Sequence, residues 1–131
     1  LRIKYYEASS DEVAERLREA LSALPEIQLA FLFGSVTRRS IVRDVDVMVY
    51  FKSEPDLRDI IRLSNLLEDS VGIPVDVVPL RYAPPKLRLK AMLEGVRLLV
   101  RDERLLYGLM TCALSEAGDV EIKLRSLSIS R

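Results

Sequence analysis

The stretch Phe31 to Phe51, FLFGSVTRRSIVRDVDVMVYF, constrains the fold more than any other part of the chain. It begins inside Ile27 to Phe33, a run so apolar that a strand there must be covered on both faces. Gly34-Ser35 ends that strand at a sharp strand-to-helix turn, and an arginine-rich segment follows. Asp44 to Phe51 then reads as a second core strand. Side chains alternate along a strand, so Asp44 and Asp46 share one face while Val45, Val47 and Val49 point to the other. Two adjacent carboxylates each raise the cost of ionising the other unless a cation neutralises them. A third acid, Asp76, sits in the equally apolar run PVDVV. Three acids on strands, beside a Gly-Ser turn and arginines, point to metal-assisted chemistry on a phosphate substrate.

The rest of the chain alternates helices with strands. An edge strand is expected around Ile3 to Tyr6. Ser9 with Glu12 matches a capping box, and Val13, Leu17, Leu21 and Leu24 continue at helical spacing until Pro25. After the second core strand, Ser53, Pro55 and Asp56 start a helix whose buried face is expected to hold Leu57, Ile60, Ile61, Ser64 and Leu67. Gly72 and Pro74 end it and launch a third strand, Val75 to Leu80. Pro84-Pro85 open a helix through Glu94, with Gly95 as its C-terminal cap. Val96 to Val100 reads as a fourth strand, and Glu103 to Ala117 as a last helix broken by Gly118-Asp119. The tail from Val120 to Arg131 has no clear period. This order gives an α/β or α+β fold, a small mixed β-sheet flanked by helices. The whole of 1–131 is expected to be one domain, with a core over about 10–117 and a tail over 118–131.

Composition narrows the chemistry. The 131 residues are 49% hydrophobic and 31% charged, as in a globular chain. Lys+Arg and Asp+Glu number 20 each, which argues against bulk electrostatic binding of nucleic acid. No apolar run is long enough to span a membrane, and no basic-then-apolar signal opens the sequence, so a cytoplasmic address is expected. A lone cysteine, Cys112, gives no intrachain disulfide and is expected to be a small buried apolar residue. With no histidine at all, Ser-His-Asp and Cys-His catalysis and His-ligated zinc are excluded. Carboxylates are left to do the work. The lack of Trp and His and the dense mixed charge also suit a thermophilic source.

Gly34-Ser35, then Asp44-x-Asp46, then the strand-borne Asp76 resembles the signature of the polymerase-beta-type nucleotidyltransferase superfamily. The size of the chain and the segment EGVRLLVRDERLLY are similar to its minimal members, found in prokaryotes as partners of small helical proteins. The likeness runs from about residue 10 to 117. After the turn the family usually carries Gly-Ser, two variable residues, Arg and Gly. Here Arg38 fills the arginine position, Arg39 stands at the second glycine, and eight residues separate Ser35 from Asp44.

The resemblance implies transfer of a nucleoside monophosphate from a triphosphate to a hydroxyl, with release of pyrophosphate. Such a reaction is mostly positioning and electrostatic stabilisation of charge on phosphoryl oxygens. Asp44, Asp46 and Asp76 would be the catalytic and metal-binding residues, with Asp44 and Asp46 holding a pair of Mg2+ ions. Asp76 would complete the site on the acceptor side and take the hydroxyl proton. Gly34 would let the triphosphate approach the backbone. Ser35 and the amides after it would form an anion site at a helix start. Arg38 would pair with the triphosphate, with Arg39 and Arg43 as lesser candidates.

A minimal domain has little room for a large acceptor, so polymerase activity is not expected. The leading expectation is transfer of AMP from ATP to a partner protein, by resemblance a small helical HEPN-type toxin for which this chain is the antitoxin. Two other readings stand beside it: transfer to a small hydroxylated molecule such as an aminoglycoside, and a catalytically silent partner-binding module. The apolar last helix also offers a surface for pairing with another copy of the chain.

Overall fold

Burial of the apolar runs decides the architecture. The computed structural model describes residues 3–118. In chain order its elements are β1 (Tyr6–Glu7), α1 (Ser10–Ser22), β2 (Ile27–Phe33), β3 (Ile41–Val42), β4 (Val45–Phe51), α2 (Leu57–Val71), β5 (Val75–Pro79), α3 (Pro85–Glu94), β6 (Val96–Val100) and α4 (Glu103–Ala117). Short 3-10 turns occupy Ser35–Thr37 and Leu80–Tyr82. The main sheet runs β5-β4-β2-β6; β4 pairs in parallel with β5, while β2 is antiparallel to both β4 and β6. The expected mixed sheet flanked by helices is therefore present.

Helices cover both faces of this sheet. On one side α1 and α2 pack Val13, Leu17, Leu21, Leu63 and Leu67 against Ala30, Leu32 and Val45, Val47 and Val49. On the other, Leu89 and Met92 of α3 and Leu106 of α4 pack against Leu29, Phe31 and Met48. A register shift between Ile27 and Leu29 lets Ile27 face α1 while Leu29 faces α3 and α4. Each of these leucines, once fully buried, contributes about 1.5–3 kcal/mol over an exposed one.

Capping sets the helix ends. Ser9 Oγ accepts from the Glu12 amide at 3.4 Å, so α1 starts where expected. Asp56 and Asp59 exchange side-chain-to-backbone bonds of 2.9 and 3.0 Å, a full capping box on α2. Among the described residues no helix is long and apolar enough to cross a membrane.

Some expectations are corrected. On α2, Leu57 and Ile61 are exposed, and the buried side is Leu63 and Leu67 with Ile60 packed beside them. Ser64 and Leu67 face inward as expected, Ser64 Oγ donating to the Val75 carbonyl at 2.7 Å, and Leu63 takes the buried place expected of Ile61. Cys112 is exposed, since Ala113 and Leu106 take the buried side of α4. The edge strand is Tyr6–Glu7, later than expected, because it pairs with β3 rather than with the main sheet. Gly95 does cap α3 as expected, its amide donating to the Ala91 carbonyl at 3.0 Å, and it does so in an extended conformation at φ −74, where a Cβ would meet the Leu32 carbonyl oxygen at 2.8 Å. Its glycine serves close approach of α3's end to β2. The tail's conformation falls on 119–131, outside the described residues.

Candidate active site

The three acids meet because of strand register. In the parallel pairing of β4 with β5, Asp46 lies directly opposite Asp76. Parallel neighbours in register share a face, so the two carboxylates stand on the side of the sheet that also carries Met48. Asp44 precedes β4 by one residue and is partly buried. Asp76, on the edge strand β5, is exposed to solvent.

Gly34 closes the group from the other neighbour of β4. It follows Phe33, which pairs with Asp46 across β2 and β4. Its φ of +84 and ψ of −156 lie in a region that essentially only glycine enters. A Cβ there would stand 2.2 Å from Asp46 Oδ2, inside contact distance. The backbone conformation and the close approach both require glycine at this position.

The turn after Gly34 differs from the expected helix start. Ser35–Thr37 is one 3-10 turn, in which the Gly34 carbonyl accepts from the Thr37 amide at 3.2 Å and from Thr37 Oγ1 at 2.7 Å. The Ser35 carbonyl accepts from the amides of Arg38 and Arg39 at 3.0 and 2.8 Å. Those later amides are therefore taken up, and it is the first amides of the turn, at Ser35 and Val36, that have no partner within it. The eight-residue spacer before Asp44 contains β3, held against β1.

Electrostatics marks the group as unusual. Burial pushes the Asp46 carboxyl up to about 6, reinforced by the charges of Asp44 and then Asp76. Among the described residues no lysine or arginine pairs with any of the three. Nor do three acidic or thiol groups already close on a common point among the described residues. The donor set fits a divalent cation of the magnesium type: hard carboxylate oxygens, too few to enclose the ion, with substrate phosphate and water to complete its shell.

A cleft of about 600 Å³, within the range of small-ligand sites, reaches the acids only through Gly34; none of the three carboxylates lines it. Gly34, Thr37 and Arg38 line it, facing Leu87 and Lys90 of α3 with Phe33 beneath. Gly34 thus touches both the cleft and Asp46. Of the three arginines weighed from the sequence, Arg38 lines the cleft; Arg39 and Arg43 are exposed and do not. Lys90 and Thr37 had no motif to announce them. A smaller cavity of about 160 Å³, lined by Leu24, Ile27, Phe51 and Leu66, lies at the other end of β4 from the acids.

The polymerase beta nucleotidyltransferase family model matches residues 15–104. The chain belongs to the polymerase beta nucleotidyltransferase family. Among solved structures it is similar to a chain of the complex of tri-AMPylated Shewanella oneidensis HEPN toxin with MNT antitoxin. That match has 20% identity, a TM-score of 0.67, and covers 92% of this chain and 97% of that one. A toxin–antitoxin structure with AMP-PNP matches at 21% identity and a TM-score of 0.68, covering 89% and 96%. The toxin–antitoxin MntA–HepT matches at 20% identity and a TM-score of 0.64, covering 90% and 95%. These likenesses establish the fold that family membership implies. A search among curated proteins found no match.

Proposed function

We propose that the chain acts as a single nucleotidyltransferase domain moving AMP from ATP to a hydroxyl of a small helical HEPN-type partner, for which it is the antitoxin. The observation that carries this reading is the register of Asp46 with Asp76 beside Asp44, abutting the glycine turn at the mouth of the cleft. The similar structures support it: one contains an AMPylated HEPN toxin and another an ATP analogue.

Asp44 and Asp46 would hold Mg2+, with Asp76 completing the site; when bound, the cation neutralises charge building on the phosphoryl oxygens. Gly34 would let the triphosphate lie against the backbone, with Arg38, which lines the cleft, and Ser35 as its partners. The acceptor oxygen attacks the α-phosphorus, and the bond from that phosphorus to the α,β-bridging oxygen breaks. Pyrophosphate leaves. The hydroxyl proton passes to Asp76, whose exposure lets it hand the proton on to water. Because Asp76 lies on the edge strand, a protein acceptor can reach it from the side of the sheet.

The test is the intact mass of a HEPN-type protein encoded beside this chain, after incubation with this protein, ATP and Mg2+. The reading predicts a gain of one or more adenylates, absent with Asp44→Asn/Asp46→Asn. An unmodified partner in a tight complex would instead leave a silent binding module.

A further inference from the structure

Beyond the acids and the turn, the cleft holds a cation that the motif does not include. Lys90 lines it from α3, and Arg38 lines it from the glycine turn. Both are exposed, and among the described residues neither enters a hydrogen bond or an ion pair. Glu94, one turn further along α3, also lines the cleft and tempers its positive field.

The helix that carries Lys90 is fixed in place. Leu89 and Met92 are buried against the sheet. Arg88 donates to the Ala83 carbonyl at 2.8 Å and pairs with Glu116 of α4. Lys90 is therefore presented to the cleft by a rigid element, while only its own side chain must order on binding.

Gly34 lies against Asp46 and also lines the cleft, so a triphosphate with its α-phosphate at the acids can extend past Gly34 to the two cations, Arg38 and Lys90. The two terminal phosphates carry most of the charge, and cations without partners are what they need. We infer that Lys90 is a binding residue for the β- and γ-phosphates of the donor, closing with Arg38 on the pyrophosphate that leaves. This rests on the nucleotidyltransferase reading above and adds a residue to it. A lysine acts here as a point charge, which arginine can largely replace.

The experiment compares the affinities of ATP, AMP and inorganic tripolyphosphate by titration calorimetry in Mg2+. The proteins are the wild type, Lys90→Met, Lys90→Arg and Lys52→Met. Lys52 follows the far end of β4 and serves as a charge-matched control. Lys90→Met is expected to weaken ATP and tripolyphosphate by about 10- to 100-fold, the worth of one charge-assisted contact. AMP affinity should hold, Lys90→Arg should recover most of the loss, and Lys52→Met should match the wild type. Equal losses for ATP and AMP, or no loss for either, would overturn the assignment of Lys90 while leaving the transfer reading intact. If the wild type binds no ATP, the transfer reading falls and the role of Lys90 falls with it.

Discussion

The two faces of β4 show opposite uses of one strand. Val45, Val47 and Val49 are buried against α1 and α2, and that side is apolar throughout. The other side begins with Asp46, flanked by Asp76 and Asp44, and becomes apolar only at Met48. The valine face stabilises the fold. At the acid end, by contrast, three carboxylates lie near one another and among the described residues none has a basic partner, while the backbone at Gly34 takes a conformation only glycine tolerates. The carboxylates are therefore held by the strands that carry them, since among the described residues no hydrogen bond or ion pair to any of the three favours the arrangement. The chain tolerates the strain because β4 is central and its second face is well packed.

Moving an acid across the strand is expected to have the largest effect. Val47→Asp places a carboxylate in the apolar layer with no partner, and we expect a loss of about 3–5 kcal/mol, enough to unfold many domains of this size. Urea denaturation followed by circular dichroism measures it. A cost below that of an ordinary surface change would mean that the two faces are less different than the packing implies.

Gly34→Ala tests the acid end from its neighbour. The methyl group meets Asp46 Oδ2 and the residue must keep a positive φ, so about 1–3 kcal/mol should be lost. ATP binding should weaken as well, because the same Cβ projects where the acids meet the cleft. Calorimetric titration on the folded variant separates the two effects.

The smallest expected effect concerns pH. Asp46 ionises near 3.8 when unfolded but near 6 in the folded chain. Between those values the folded state keeps a proton that the unfolded state has lost. Stability of the metal-free protein therefore falls as pH rises through this window and levels off above it. Because Asp46 is only half-buried, the fall should be about 1 kcal/mol rather than the full value of the shift. Asp46→Asn should remove the slope. Denaturation midpoints across the window, with chelator present, are the readout, and a slope unchanged in the variant would assign it to another group.

The fold and the acids were largely legible because both are written in short periods. The limits of β2 and α4 agree with the sequence reading to the residue, since each is a strongly apolar run between clear breakers. Asp44, Asp46 and Asp76 stood out as acids where such runs should have none. What stayed hidden depends on tertiary contact. β3 is two residues long, too short to show any period, and exists by pairing with β1. That α2 buries Leu63 and leaves Leu57 and Ile61 exposed follows from how it packs on α1 and the sheet, which helical spacing does not specify. Lys90 sits in a Leu- and Met-rich helix that reads as core; that one exposed position of it lines a cleft follows from the placement of α3 against β2.

Nucleotidyl transfer at the three acids is tested by a paired label experiment with ATP, Mg2+, this protein and a HEPN-type partner. One reaction carries the label on the α-phosphate and the other on the γ-phosphate. Nucleotidyl transfer at the Asp44–Asp46–Asp76 face predicts label on the partner from the α-position alone, lost in Asp44→Asn/Asp46→Asn. Label from the γ-position, or α-label that survives loss of both acids, would contradict it.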